Sequence, residues 1–315
     1  MNHEQDILYP VTIIMSTYNG TKYLKDQLDS LLNQQGVSIN LFVRDDGSKD
    51  DTIKLLNLYA DKFNSLKIIP EDNIGATASF HRAAKLALED VETEYYAFCD
   101  QDDIWLSDKL LSGIRIIGKE NRNQPNLYFS NLMMVDNSGN LLGNLLDDRV
   151  VSCKRYNALA SIGTYGCTCV FNRSALEMFC RLDESKNYIY HDNWLYSVCV
   201  FLGSAFYDKE SHIRYRQTGE NVSGNKKIGA AVWVGRLKTL FRLKSDKRIY
   251  ESIAKELLAN FDKELQPDDK EFLACVANYR NSFKEKWKLL ISKRMRTSSV
   301  SKNVCIIGRI ILGRL

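Results

Sequence analysis

Three carboxylates, Asp100, Asp102 and Asp103, fall within four positions of the stretch Cys-Asp-Gln-Asp-Asp-Ile-Trp. They follow an apolar, aromatic-rich run at residues 95–99 that has the composition of a buried strand. Carboxylates at the end of such a strand repel one another and are costly to strip of water. A hard divalent cation relieves that cost, because Mg2+ and Mn2+ prefer carboxylate and phosphate oxygens. A solvated acidic loop capping a helix from about Ser107 would use the same residues, so the rest of the chain must decide. A further carboxylate, Asp192, stands in His-Asp-Asn-Trp just before an apolar run. It is placed to act as a general base or to cap the helix that follows.

The elements that would position these groups are legible from periodicity. Strands are predicted at residues 11–15, 39–43, 66–69 and 95–99. Helices are predicted at 23–32, from Asp50 and Asp51 to about Lys62, and at 76–88. Strand and helix thus alternate, the pattern of an α/β fold with a parallel sheet covered on both faces. In a parallel sheet the turns at 17–20, 45–48 and 100–103 lie at one carboxyl edge, where open α/β sheets bind ligands. Further on, a helix is expected at 107–119, a strand at 127–135 and hairpin-turn chemistry at 136–140. An apolar strand or strand pair follows at 161–171, then a helix with Ser174 as its cap. The run 195–206 reads as a buried helix and a strand, 213–217 as another strand, and 218–224 as a polar loop.

The chain has 315 residues, 44% hydrophobic and 26% charged, as in an ordinary globular protein. Its N-terminus is polar and acidic, unlike a signal peptide, and no apolar run reaches the roughly 18 residues of a membrane span. The eight cysteines include no Cys-x-x-Cys pair. They read as buried thiols of a reducing compartment, with a zinc site disfavoured. Charge is uneven: residues 1–225 carry 22 Lys and Arg against 30 Asp and Glu, while 226–315 carry 21 against 9. That shift divides the chain into a domain at 1–225 and a basic helical region at 226–315. There Val234, Leu237 and Phe241 alternate with Arg236, Lys238 and Arg242, and residues 306–315 repeat the mixture. These helices either lie on an anionic membrane surface or pack on the domain; nucleic acid is not an expected partner.

Residues 11–20 (Val-Thr-Ile-Ile-Met-Ser-Thr-Tyr-Asn-Gly), 45–52 (Asp-Asp-Gly-Ser-Lys-Asp-Asp-Thr) and 100–105 resemble inverting glycosyltransferases of family two. The form Cys-Asp-Gln-Asp-Asp-Ile-Trp, His-Asp-Asn-Trp at 191–194 and Tyr-Arg-Gln at 215–217 are similar to a subgroup of bacterial polysaccharide rhamnosyltransferases. The resemblance implies a GT-A fold, a Rossmann-like, mostly parallel sheet flanked by helices, here with a C-terminal helical appendage. It implies a donor site at Thr17, Tyr18, Asn19, Asp45, Asp100 and Gln101, with Asp45 accepting from the N3–H of a pyrimidine. It implies Mg2+ or Mn2+ on Asp102 and Asp100, and Asp192 as the base. Trp105 and Trp194 are candidate sugar contacts, although structural aromatics are more frequent.

The implied reaction is inverting, metal-assisted transfer of L-rhamnose from dTDP-L-rhamnose to a lipid-linked saccharide of the cell surface. The place is the cytoplasmic face of the cell membrane, with peripheral attachment. A UDP-hexose donor, or a non-catalytic nucleotide-sugar-binding module, are the alternatives. The subgroup has His where this chain has Thr218, which removes one expected contact. A receiver- or dehalogenase-type phosphotransfer protein also gathers aspartates at strand ends, but it places its nucleophile after an early strand, and here the cluster follows the fourth.

Overall fold

The computed structural model describes residues 8–136, 139–148, 151–160, 163–217 and 248–315. Thr218, the polar loop at 218–224, the proposed boundary at 225 and the face at Val234, Leu237 and Phe241 lie outside the described residues. So do parts of the hairpin turn at 136–140 and the start of the 161–171 stretch.

The first half follows the strand–helix alternation. Strands β1 (Tyr9–Thr17), β2 (Val37–Asp45), β3 (Ser65–Pro70) and β4 (Tyr95–Cys99) pair in parallel, in the order β3-β2-β1-β4. Every residue of β4 is buried, as expected of an interior parallel strand with both faces covered. Helices α1 (Leu24–Leu32), α2 (Thr52–Asn57) and α3 (Ala76–Asp90) connect them. Successive residues of a strand point to opposite faces. Ile14 therefore enters one core, with Phe42, Phe80 and Phe98, while Ile13 and Met15 enter the other, with Leu28 and Leu31. Helix α2 is shorter than periodicity predicts. The chain unwinds after Asn57 so that Tyr59 and Phe63 can turn into the core, and the Tyr59 hydroxyl donates to Asp29 at 2.6 Å.

The second half is mixed. Strand β5 (Ile104–Trp105) and helix α4 (Lys109–Ile117) come first, then the hairpin β6 (Asn126–Val135) and β7 (Leu141–Asn144). The described residues of the 161–171 stretch are not a strand pair. They form a 3-10 turn at Gly166–Thr168, and among them only the run Val170–Asn172 is a strand, β8, antiparallel to β4. Helix α5 (Arg173–Phe179) is capped by Asn172 rather than Ser174: the Asn172 carboxamide oxygen accepts from the Ala175 N–H at 3.1 Å. Helix α6 (His191–Leu202) leads into one long strand, β9 (Ser204–Arg216), where two separate strands were expected. It runs parallel to β6 through irregularities near Asn131, which let a single strand do the work of two. The full order is β3-β2-β1-β4-β8-β6-β9-β5. Thus β5 closes the far end of the path, although only residues 100–103 separate it from β4.

Beyond residue 247 the described chain is helical: α7 (Ile249–Asn260), α8 (Pro267–Asn278), α9 (Phe283–Ile291) and α10 (Val300–Leu312). Helices α7 and α8 share the core of the preceding domain. Trp194 lies against Phe261 with ring centroids 6.1 Å apart, and Tyr156 against Phe272 at 4.7 Å. Ile306, Ile310 and Leu315 of the predicted membrane-facing stretch are buried as well.

Candidate active site

A cleft of about 980 Å3 opens at the carboxyl ends of β1 and β4. Its wall includes Thr17, Tyr18 and Asn19 after β1, Asp100, Gln101 and Asp102 after β4, and Asp192 at the start of α6. The expected neighbourhood of the three turns is therefore formed, and it is built by hydrogen bonds between them. The Asn19 N–H donates to the Ser48 hydroxyl at 2.9 Å, and the Asn19 carboxamide oxygen accepts from the Lys49 N–H at 2.8 Å. The Gln101 carboxamide grips Tyr18 from both sides, accepting from its N–H at 2.9 Å and donating to its carbonyl at 3.0 Å. Asn19 sits in the left-handed region at φ 46°, which Asn tolerates better than most residues. Gly20 leaves the space that the Gln101 side chain fills, since a Cβ there would lie 2.4 Å from its oxygen.

Asp45 is not brought to the wall. It is fully buried, and its oxygens accept from the Thr17 hydroxyl at 2.8 Å and from the Ser48 N–H and hydroxyl at 2.8 and 2.6 Å. Its neighbour Asp46 reaches the cleft instead. Asp46 accepts from the Ile74 and Gly75 N–H groups and pairs with the buried guanidinium of Arg44 at 2.6 Å. The two tryptophans are likewise enclosed. Trp105 is 2% exposed with the Lys109 ammonium 3.5 Å from its ring centroid, and Trp194 is fully buried with its indole N–H donating to the Phe179 carbonyl. Neither lines the cleft.

The acidic loop is electrostatically loaded. The Asp100 carboxyl is pushed up to about 7 by burial and by the charges of Asp102 and Asp192. Asp102 is also raised by burial, with the Arg216 charge opposing the shift. Asp103, fully buried, stands well above the usual carboxylate range for the same reason. One of its oxygens accepts from the Arg216 N–H at 3.3 Å, and the other is buried with no hydrogen-bond donor among the described residues. Oxygens of Asp100 and Asp103 and the thiol sulfur of Cys167 lie within 4.8 Å of one another. The orphaned Asp103 oxygen and a donor set rich in carboxylates fit a hard divalent cation. The tight cluster joins Asp100 to Asp103 and Cys167, while Asp102 presents its carboxylate to the cleft.

Asp192 is not the helix cap, because Tyr190 holds that position. It lies in the first turn, where its carboxylate accepts from the Asn193 N–H at 2.7 Å and from the Gly166 N–H. Burial nevertheless pushes it up to about 6. Gly166 is required for this seat: a Cβ would lie 2.2 Å from the His191 Nε2 atom. His191 itself stacks on Phe80 at 4.1 Å and is held neutral by burial.

Sequence reasoning gave no site role to the 164–167 turn, which supplies Tyr165, Gly166 and Cys167, nor to Arg216 at the end of β9. Arg216 bonds the Asp102 carbonyl at 3.2 Å, pairs with Asp26 of α1 at 3.0 Å and lies 4.7 Å over the Tyr23 ring. Its only signal in the sequence was the Tyr-Arg-Gln triplet.

A family model described as glycosyl transferase family 2 matches residues 12–179. The dTDP-rhamnosyl transferase RfbG of Shigella flexneri is 31% identical over 222 residues, covering 67% of this chain and 73% of the relative. A UDP-Glc:alpha-D-GlcNAc-diphosphoundecaprenol beta-1,3-glucosyltransferase, WfgD of Escherichia coli, is 26% identical, covering 69% and 81%. Among solved structures, S. aureus TarS 1–349 in complex with UDP-GlcNAc aligns with a TM-score of 0.53 at 17% identity, covering 96% of this chain and 90% of that one. The mannosyltransferase PcManGT of Pyrobaculum calidifontis, in complex with GDP-Man and Mn2+, aligns at 0.51 and 15%, covering 97% and 76%. At these identities the structural likeness establishes the GT-A type of fold.

Arg216→Gln removes a cationic side chain that opposes the upward shift of Asp102. The Asp102 carboxyl of the variant is therefore expected to titrate at higher pH than in the wild type, as read by carboxyl 13C NMR without added metal. An unchanged titration would show that Arg216 acts on the loop only through its backbone contacts.

Proposed function

The chain belongs to glycosyl transferase family 2, and on that premise we propose that it transfers L-rhamnose from dTDP-L-rhamnose to a lipid-linked surface saccharide, with inversion. The observation that carries the reading is the single cleft in which Asp192 faces the acidic loop after β4. The rhamnosyl donor is supported by the relative at 31% identity, and a diphosphoundecaprenol-linked acceptor by the glucosyltransferase at 26%. The latter acts on UDP-Glc, so a UDP-hexose donor is the second reading.

Each residue has a task that follows from its surroundings. The Tyr18 ring, 46% exposed at the lip, offers a face to the nucleotide. Thr17 and Asn19, braced by Asp45, Ser48 and Lys49, hold the loop beneath it. Asp100 and Asp102, with Asp103 behind them, would hold Mg2+ or Mn2+, whose chemistry there is Lewis-acid neutralisation of the departing diphosphate. Asp192 takes the proton of the acceptor hydroxyl as it attacks the anomeric carbon. Attack from the side opposite the leaving diphosphate inverts that carbon. A carboxyl near 6 is ionised at neutral pH yet more basic than an ordinary aspartate, which suits a general base.

We place the enzyme at the cytoplasmic face of the membrane as a peripheral protein. Among the described residues, no helix is long and apolar enough to cross a membrane. On α9, Phe283, Trp287 and Ile291 recur at four-residue spacing and are 82%, 55% and 63% exposed. Lys284, Lys286 and Lys288 are interleaved with them. An aromatic and apolar stripe between lysines is the composition that sits in a headgroup layer.

Three measurements test these readings. The transfer rate should rise with pH through about 6 and then level off as Asp192 ionises. Asp192→Asn should lack that limb and be slower by about 10²–10⁴-fold, with donor affinity little changed. A variant of near wild-type rate removes the base assignment. In calorimetric titration, dTDP and UDP should bind well above GDP when Mg2+ or Mn2+ is present and lose most of that affinity in EDTA. Preferential GDP binding refutes the pyrimidine donor, and chelator-insensitive binding and turnover refute the metal. In co-sedimentation with anionic vesicles, Phe283→Ser/Trp287→Ser should pellet much less than wild type. Equal pelleting refutes the membrane role of α9.

A further inference from the structure

A second cavity, of about 430 Å3, opens between the 151–157 segment and the turn that follows α9, and it shares no lining residue with the cleft. Four of its ten lining residues, Lys154, Lys293, Arg294 and Arg296, are cations and none is acidic. Like charges gathered around one space repel one another. They are also held in place. The Arg294 guanidinium lies 4.7 Å over the Tyr156 ring, and Arg296 Nη2 donates to the Leu290 carbonyl at 2.6 Å.

The other terminal nitrogen of Arg296, Nη1, is buried with no acceptor among the described residues, and burial lowers the pKa of the group. An unsatisfied, charged N–H donor out of water is expensive. Asp269, a carboxylate of α8, does not relieve it, because it pairs with Arg155 at 2.7 Å and is absent from the cavity wall. The surrounding chain deepens the imbalance: residues 279–315 hold ten Lys and Arg against a single Glu.

We propose that this cavity is a binding site for a phosphate or diphosphate group, with Arg296 as the buried donor and Lys154, Lys293 and Arg294 around it. Guanidinium forks match phosphate oxygens bidentately, and ammonium groups add point charge. The cavity begins two residues after the exposed end of α9, so the phosphate either belongs to a lipid headgroup or is free in solution. The site stands apart from the reading of the cleft and holds whatever sugar the cleft transfers.

The test uses the full chain in EDTA, which silences cation-dependent binding in the cleft, with inorganic pyrophosphate as the probe in calorimetry. Saturable one-to-one binding is expected. It should weaken at least tenfold in Arg296→Gln and in Lys293→Gln/Arg294→Gln, and stay within twofold in Lys284→Gln/Lys286→Gln. The exposed pair Lys293 and Arg294 keeps the test valid if Arg296→Gln lowers the melting temperature. Absence of saturable binding in the wild type overturns the site. Equal weakening in the Lys284/Lys286 variant also overturns it, since that is diffuse attraction to a basic surface. Vesicles of phosphatidylglycerol then assign the source. Pelleting that pyrophosphate reverses, and that the Lys293/Arg294 variant loses, supports a lipid headgroup in the site. Pelleting unchanged in that variant while its pyrophosphate binding is lost supports a soluble phosphate.

Discussion

Four carboxylates gathered at one cleft, Asp103 buried and the others half-buried on its wall, set the terms for everything around it. At an effective dielectric near 20, two unit charges about 4 Å apart cost roughly 4 kcal/mol, so Asp100, Asp102, Asp103 and Asp192 cannot all be ionised there unaided. The protein spreads the load among several devices. Burial and mutual repulsion push the Asp100 and Asp103 carboxyls above the usual carboxylate range. Arg216 brings a positive charge, tied to Asp26 on another element. Backbone N–H groups of Asn193 and Gly166 hold Asp192 ionisable near neutrality. Lys109, fully buried against the Trp105 ring and near the thiols of Cys99, Cys167 and Cys169, adds a further cation whose own pKa falls to about 8. The remaining deficit of positive charge is what a divalent ion would supply.

How much of this could be read from the chain depends on how local the causes were. Strands β1 to β4 and the helices between them were legible because each carries its own periodicity, and the convergence of their turns follows from parallel order alone. The mixed half was opaque. The 3-10 turn at Gly166–Thr168 exists because Gly166 must pass within van der Waals contact of His191, a residue 25 positions away that no local pattern announces. Strand β9 stays paired with β6 only by bulging opposite Asn131, where Ser130 pairs with Asp208 but Asn131 with Ser211. Arg216 earns its place through Asp26, 190 positions earlier.

Residue type alone did not separate the two roles a polar residue can take at a strand end. Asp45 was expected to touch the donor, yet its oxygens are committed to Thr17 and Ser48, whereas Gln101 and Asn19 line the cleft and also brace neighbouring loops. Trp105 and Trp194 were candidate stacking faces, yet each is enclosed. A polar motif at a strand end can either meet a ligand or hold the loop that meets it, and only the count of satisfied donors and acceptors separates the two. On that count Asp102, Asp103 and Asp192 keep capacity to spare, whereas the oxygens of Asp45 are spent on its neighbours.

The sheet order has a mechanical consequence. From β4 to β5 the pairing path takes four strand spacings, which laid flat would need roughly 19 Å. The chain from Cys99 to Ile104 can stretch to only roughly 17 Å, and residues 101 and 102 are bent rather than extended. The sheet must therefore arch, and the acidic loop is the tie that joins the two feet of the arch. A tie cannot lengthen without the arch flattening, nor slacken without the arch closing. The spacing of the carboxylates and the curvature of the whole second half of the sheet are thus a single variable. A strand displaced at the crown, far from any substrate, is felt as tension between Asp100 and Asp103.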